Sequence, residues 1–185
     1  MDPKLQRYLD AIEQQRTALQ STVLALSDAQ LDWTPPAATD AWSIRQIAEH
    51  LVLSDESVGC ARDPQTIEPE APMFRILPRA WRRALILWAL RRGTVLPLPS
   101  PDLAPRGTVP LPDLLSRWEA ARGQMRRFLE TLPPRRASPL CYAHPVTGPL
   151  TPVQMLELGE THTAYHTRQI ETLRRDPAFP RGNRK

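Results

Sequence analysis

The residues best suited to chemistry in this 185-residue chain are its four histidines. His162 and His166 stand four positions apart in a segment with helical apolar spacing, which places both imidazoles on one helix face, where they can share a metal ion. Met155, Ile170 and Leu173 belong to the same stripe, so the pair occupies core positions. Because buried imidazoles need partners for their nitrogens, a metal site and a pair of hydrogen-bonded core histidines both fit this pattern.

A third histidine, His50, lies near the core-facing edge of another predicted helix. Three imidazoles with open coordination positions are typical of catalytic zinc sites. Taken alone, His50 also fits an ordinary core or surface histidine. Gln46, Ser54 and Ser57 share its face, and Gln169 stands on the helix of the histidine pair. These polar side chains either line a small cofactor-binding pocket or make ordinary contacts between helices.

The remaining histidine and the two cysteines are assigned no chemistry. His144 precedes Pro145 in a predicted loop, where it is better suited to stabilising a turn. Cys60 and Cys141 form neither a CxxC motif nor a disulfide framework, which is typical of a reducing cytoplasm. Cys60 is interpreted as packing in the core. No reaction is therefore expected to need a cysteine of this chain.

The spacing of apolar residues predicts the helices that position these side chains. A long, proline-rich link over residues 62–110 contains a further helix-like segment, Pro78–Arg92. Scarce glycine and the lack of sustained apolar–polar alternation argue against strands. The sequence predicts an all-α four-helix bundle with this extra helix in a long crossover between helices 2 and 3. One domain is expected over residues 1–176, with a polar tail at 177–185. The four long helices are predicted at Pro3–Leu26, Ser43–Ala61, Leu111–Leu132 and Pro152–Arg175.

The composition of the chain excludes several classes of function. Apolar residues make up 41% of the chain and charged residues 24%, as in soluble globular domains. The longest apolar run, Ala84–Leu90, is too short to span a membrane, and the N-terminus lacks the pattern of a signal peptide. The net charge of +4 comes without a dense basic module. We expect a cytoplasmic protein with a small-molecule substrate and no nucleic-acid or membrane partner, and we leave a homodimer open.

The arginine-rich segment Trp81–Arg92 has two interpretations. It fits an amphipathic lid that buries Trp81, Leu85 and Trp88 against the other helices or in a dimer contact. It also fits a module that docks on a membrane surface or on a partner.

Two stretches of the chain resemble the DinB-like (DinB/YfiT) superfamily of metal-dependent four-helix-bundle proteins. In Trp42–Leu51 a Trp-Ser helix start is followed by a His-Leu pair. The second stretch runs from His144 to Thr151 and continues into the histidine pair and residues 168–173. The resemblance implies a bundle with a long crossover after the second helix. It also implies a divalent metal, commonly zinc or nickel, held by His50, His162 and His166.

The resemblance also implies an activity. Members of this family include S-transferases that use bacillithiol or a similar thiol, and a mycothiol-dependent maleylpyruvate isomerase. The chain is therefore expected to be a metal-dependent, transferase-like or hydrolase-like protein acting in stress or detoxification. In the transferase reaction a low-molecular-weight thiol co-substrate attacks a small electrophile. A non-enzymatic metal-binding stress protein with the same three histidines is the alternative.

Overall fold

The computed structural model describes residues 2–38, 40–59, 77–132 and 141–181, and this part of the protein is mostly helical. The prediction of a predominantly α-helical chain is confirmed. A 3₁₀ turn at Pro101–Leu103 precedes the fifth helix. In chain order the helices are α1 (Pro3–Leu24), α2 (Asp28–Leu31), α3 (Ile44–Gly59), α4 (Arg79–Arg92), α5 (Leu111–Thr131) and α6 (Pro152–Arg175).

The expectation that the chain forms no strands is wrong at one place. Strands β1 (Tyr142–His144) and β2 (Gly148–Leu150) pair antiparallel, with Tyr142 opposite Leu150 and His144 opposite Gly148. Strands of three residues are too short to show alternation in a sequence. Gly148 has a φ of +77°, a conformation that favours glycine, and it begins the returning strand.

Local sequence signals determine where α3 and α6, the helices that carry His50 and the histidine pair, begin. At α6 the side chain of Thr151 accepts from the amide of Gln154, whose own side chain accepts from the amide of Thr151, and proline follows the cap. Ser43 and Gln46 form the same reciprocal pair at the start of α3, as predicted. The start of α6 is as predicted, whereas the predicted end of the second helix, like Cys60, lies outside the described residues. The four-residue helix α2 was not predicted, although Ser27 and Gln30 form a capping box at its start.

The long helices pack around two apolar clusters. Helix α1 packs on α6, α3 packs on α5 and α6, and α4 packs on α6. One cluster contains the fully buried Trp118 and the other contains Ile12 and Tyr165. The histidines of the chain that face each other come from α3 and α6, so their relative position depends on this packing. None of the described helices combines the length and apolar content that crossing a bilayer requires.

Helix α4 packs through one face only. Ile86, Leu87 and Leu90 are buried, whereas Trp81, Leu85 and Trp88 are exposed in the described structure. The interpretation of α4 as a lid that buries these three residues against the other helices is therefore wrong. Apolar residues therefore occupy more of the surface of α4 than the face that packs on the other helices.

A buried ion pair ties α3 to α5. The Asp55 carboxylate accepts a hydrogen bond from Trp118 Nε1 at 2.5 Å and lies 2.8 Å from Arg122 Nε. Asp55 and Arg122 are each 9% exposed, so neither charge is well solvated. One residue further along α3, Glu56 pairs with Arg117 at the surface. The two neighbouring carboxylates thus join the same helices in different environments.

Replacing Asp55 by alanine is expected to lower the free energy of unfolding by about 3–5 kcal/mol, because Arg122 would keep a buried charge without its partner. Glu56→Ala, the matched control, is expected to cost at most about 1 kcal/mol, since that pair is solvated. Urea unfolding followed by circular dichroism measures both. Equal losses in the two variants would contradict this account.

Candidate metal centre

Three imidazole nitrogens converge between α3 and α6. His162 Nε2 lies 3.2 Å from His50 Nε2 and 3.0 Å from His166 Nε2. One ligand atom from each of the three histidines falls within a span of 4.8 Å. His50 and His166 are buried and His162 is partly buried. The structure therefore brings together the three histidines singled out in the sequence.

The spacing of these nitrogens fits a metal ion. Zinc binds histidine nitrogen at about 2.0–2.1 Å in tetrahedral geometry, which separates neighbouring ligand nitrogens by about 3.3 Å. The His162–His166 and His162–His50 separations, 3.0 and 3.2 Å, are close to that value, and all three nitrogens lie within 4.8 Å of one another. Among the residues that the structure describes, the cluster has three donors, which leaves one position of a tetrahedral ion free. The donor set thus suits a divalent ion of the zinc or nickel type.

Oxygen acceptors on the far side of two rings fix which nitrogen faces the centre. His50 Nδ1 lies 2.8 Å from the Leu103 carbonyl, and His166 Nδ1 lies 2.7 Å from Gln169 Oε1. The Gln169 amide in turn donates to the Tyr165 hydroxyl at 2.9 Å. A carbonyl oxygen only accepts, so each Nδ1 carries the proton and each Nε2 offers its lone pair. This is the usual way in which proteins orient metal-binding imidazoles.

The loop that supplies the Leu103 carbonyl is itself held by α3. Glu49 is buried, and its Oε2 accepts hydrogen bonds from the amides of Arg106 at 2.9 Å and Gly107 at 2.6 Å. Gly107 has a φ of +73°, and a Cβ there would lie 3.0 Å from Gln46 Cγ. Two neighbouring residues of α3 thus have different roles. His50 points to the centre, and Glu49 anchors the loop that orients the His50 ring.

Burial keeps all three imidazoles neutral near pH 7. Desolvation lowers the pKa of His166 to about 3 and also lowers the pKa of His50. The pKa of His162 falls well below its ordinary value, first through burial and then through the neighbouring imidazoles. Neutral imidazole is the form that binds a metal, so protons compete little for these ligands at neutral pH.

Aromatic rings surround the nitrogens. The Trp42 ring lies 4.9 Å from the His50 ring and 6.2 Å from the His166 ring, centroid to centroid. The Tyr165 ring lies 4.8 Å from the His166 ring. These bulky side chains limit the directions from which water reaches the histidines, and they restrict the rotation of the imidazoles.

A cavity of about 980 Å³ opens beside the three histidines. Of the three side chains named as candidates for cofactor binding, Ser54 and Gln169 lie in its wall, and Ser54 donates a hydrogen bond to the His50 carbonyl at 2.8 Å. Gln46 does not belong to the described wall; its side chain caps α3 and packs at Gly107. Much of the remaining wall is apolar, including Ile86 and Leu90 from α4.

The hairpin contributes four residues to the cavity wall that the sequence analysis did not propose for a pocket: Tyr142, His144, Pro145 and Val146. His144 Nδ1 accepts hydrogen bonds from the amides of Val146 at 3.1 Å and Thr147 at 3.2 Å, which confirms the predicted role in a turn. Its ring also contributes to the cavity wall, and burial lowers its pKa to about 4. Tyr142 lies beside it, with its hydroxyl 3.4 Å from the Ser57 hydroxyl. The family-like stretch around His144 was the only signal for this position.

Comparison with known proteins agrees with the resemblance seen in the sequence. A family model described as the DinB superfamily matches residues 11–170. This range includes α3, the hairpin and the histidine pair of α6. No curated protein and no solved structure shows significant similarity to the chain.

Glu49→Ala is expected to weaken zinc binding by about tenfold or more, because the loop would lose the acceptor that holds the Leu103 carbonyl against His50. The dissociation constant is measured by competition with a chromogenic chelator. Glu56→Ala on the same helix is the control and should leave the constant unchanged. Unaltered zinc affinity in Glu49→Ala, with the helical circular dichroism of the wild type, would rule out the anchoring role.

Proposed function

The chain belongs to the DinB superfamily, and from this premise we propose that it is a metal-dependent enzyme that joins a low-molecular-weight thiol to a small electrophile. His50, His162 and His166 are the proposed metal ligands, with zinc or nickel as the metal. The observation that carries the proposal is the convergence of three Nε2 atoms at the wall of the large cavity.

The cavity favours an enzyme over the alternative of a metal-binding protein without catalytic activity. A site that only stores or buffers a metal has no need of about 980 Å³ of space beside its ligands. Three protein ligands rather than four also leave room for an external ligand, as in catalytic sites. The wall is largely apolar with a few polar groups, which is the usual composition of a small-molecule site.

The metal and the protein have separate tasks in this proposal. When bound, a divalent ion lowers the pKa of a thiol or water at its open position, which makes the nucleophile available at neutral pH. The Leu103 carbonyl and Gln169 hold two imidazoles in the required tautomer. Trp42 and Tyr165 restrict the access of water. His144 accepts at Nδ1, so its proton is on Nε2, where it can donate to a group bound in the cavity.

The proposed reaction forms one bond from sulfur to carbon. The thiol co-substrate gives up its proton, and its sulfur attacks the electrophilic carbon. In a substitution, the electron pair of the breaking bond departs with the leaving group, which takes up the proton released by the thiol. Where the electrophile is an activated double bond, sulfur adds to one carbon and the proton is taken up by the other. No residue of the chain forms a covalent intermediate.

We also propose that α1, α3, α5 and α6 form the four-helix bundle of the family, with α4 in the crossover between its second and third helices. The packing of α1 on α6 and of α3 on α5 and α6 supports this arrangement. It places the ligand of α3 opposite the two ligands of α6.

Loss of one ligand should abolish both metal binding and thiol transfer. In His166→Ala, the zinc or nickel content of untagged protein is expected to fall from about one ion per chain to near zero. Coupling of a small thiol to a chromogenic electrophile should fall with it. His144→Ala is the matched control for metal content, since it removes an imidazole from the same cavity and should keep the metal.

The outcomes separate the two functions. Metal binding without coupling of any of several thiols and electrophiles would support the non-enzymatic alternative. Coupling that persists in metal-free protein would contradict the proposed mechanism.

The half-buried Cys141 should be a poor nucleophile. Burial raises the pKa of its thiol to about 11, so the thiolate is scarce at neutral pH. In a Cys60→Ser background, the rate of alkylation by iodoacetamide should rise with pH toward a midpoint near 11, rather than near the ordinary thiol value of about 8.5. Urea-unfolded protein serves as the control. A midpoint at the ordinary value in the folded protein would show that the thiol is free to react.

A further inference from the structure

Helix α4 presents an apolar stripe to solvent. Trp81 is 71% exposed, Leu85 45% and Trp88 53%. Their spacing of four and three positions puts them on one side of the helix, with Arg92 one turn further along. The stripe formed by Trp81, Leu85, Trp88 and Arg92 is called the outer face of α4 below. In the described structure no other element packs on it closely enough to bury these side chains.

The opposite side of α4 is occupied. Ile86 and Leu90 are buried and contribute to the wall of the cavity. Arg83 and Arg91 form ion pairs with Glu157 of α6, and Arg168 of α6 donates to the Leu90 carbonyl at 2.7 Å. These contacts hold the helix in one orientation. Exposure of the two tryptophans therefore follows from a packed arrangement rather than from a loose helix.

All the charged side chains of α4 are positive. The helix carries five arginines and no acidic residue, and one of the five, Arg82, is buried. Glu157 partly offsets Arg83 and Arg91, whereas Arg92 stands over the Trp88 ring with its guanidinium carbon 5.5 Å from the centroid. An exposed indole beside an arginine combines an apolar surface with a cation, a pairing that is strengthened when water is excluded.

We propose that the outer face of α4 docks on an anionic membrane surface. Helices that lie in the membrane interface place tryptophan and leucine among the acyl chains and arginine at the headgroup phosphates. The outer face has this composition, and its positive charge complements an anionic lipid surface. Docking of this kind needs no spanning segment. It qualifies the expectation from composition that the protein has no membrane partner.

A second copy of the chain is a poorer occupant of this face. In a two-fold contact the same patch faces itself, so the exposed Arg92 of each copy would be covered by a helix that offers no acidic side chain to pair with it. Anionic lipid supplies the opposite charge and is therefore the proposed occupant of this face. The proposal does not depend on the metal or on the reaction.

The test uses the full chain and flotation with phosphatidylcholine vesicles, with and without phosphatidylglycerol. The wild type should float with the anionic vesicles at low salt and much less at high salt, because salt screens the arginines. Trp81→Ser/Trp88→Ser should bind about tenfold more weakly or worse, since it removes two large apolar side chains. Leu24→Ser on α1, which changes a residue 59% exposed, is the apolar control and should bind as the wild type does.

Paired arginine variants test the charge. Arg91→Gln/Arg92→Gln should weaken binding to anionic vesicles by about fivefold or more, chiefly through Arg92, since Arg91 already pairs with Glu157. Arg174→Gln/Arg175→Gln removes the corresponding pair in the last turn of α6 and should have little effect. Circular dichroism confirms that each variant is folded.

Three results would overturn the proposal. One is a wild-type protein that stays with the soluble fraction in the presence of anionic vesicles at low salt. Another is undiminished flotation of Trp81→Ser/Trp88→Ser. The third is a dimer in analytical ultracentrifugation that dissociates in this double variant without any vesicle binding, since the outer face would then be covered by a second copy.

Discussion

The burial of three imidazoles side by side is the constraint on which the arrangement of this protein depends. Their Nε2 atoms approach to 3.0 and 3.2 Å, and in the neutral tautomers held at His50 and His166 these atoms carry lone pairs. The one proton that His162 Nε2 can carry pairs well with only one of these lone pairs, and the other is costly in an apolar interior unless a cation is shared among the nitrogens. The apolar clusters hold the helices together, the aromatic rings pack against the imidazoles, and the oxygen acceptors behind two of the imidazoles fix their orientation. These contacts support the proposal that the three histidines hold a metal ion.

The orientation of the ligands depends on distant parts of the chain. Helix α3 provides His50, but the carbonyl that fixes its ring comes from Leu103, which the Glu49 carboxylate holds in place through neighbouring amides. Helix α6 is more self-sufficient, because Gln169 orients His166 from one turn away. Helix α4 closes the cavity with one side and leaves aromatic residues exposed on the other. The same helix therefore contributes both to the cavity beside the histidines and to the exposed apolar surface of the protein.

The sequence predicted those features that depend on local patterns. The start of α6, the reciprocal caps and the common face of His162 and His166 follow from spacing within one helix. The three-residue strands were not predicted, because a pattern of alternation is visible only over more residues. Since His144 lies in one of these strands, its position in the cavity was not predicted either. The Leu103 carbonyl and its anchor involve backbone atoms brought together over long sequence distances, which side-chain periodicity does not reveal. The exposure of Trp81 and Trp88 could not be predicted, since a hydrophobic pattern shows which residues can be buried and not which are.

X-ray absorption spectroscopy at the metal edge of zinc-loaded protein tests the central claim most directly. A zinc ion held by the three histidines should show three imidazole nitrogens at about 2.0–2.1 Å and no sulfur scatterer until a thiol is added, after which sulfur should appear at about 2.3 Å. A spectrum with fewer than three imidazoles, or with sulfur in the absence of added thiol, would contradict a centre built from His50, His162 and His166 alone. A spectrum that does not change with thiol would contradict the open position on which the proposed reaction depends.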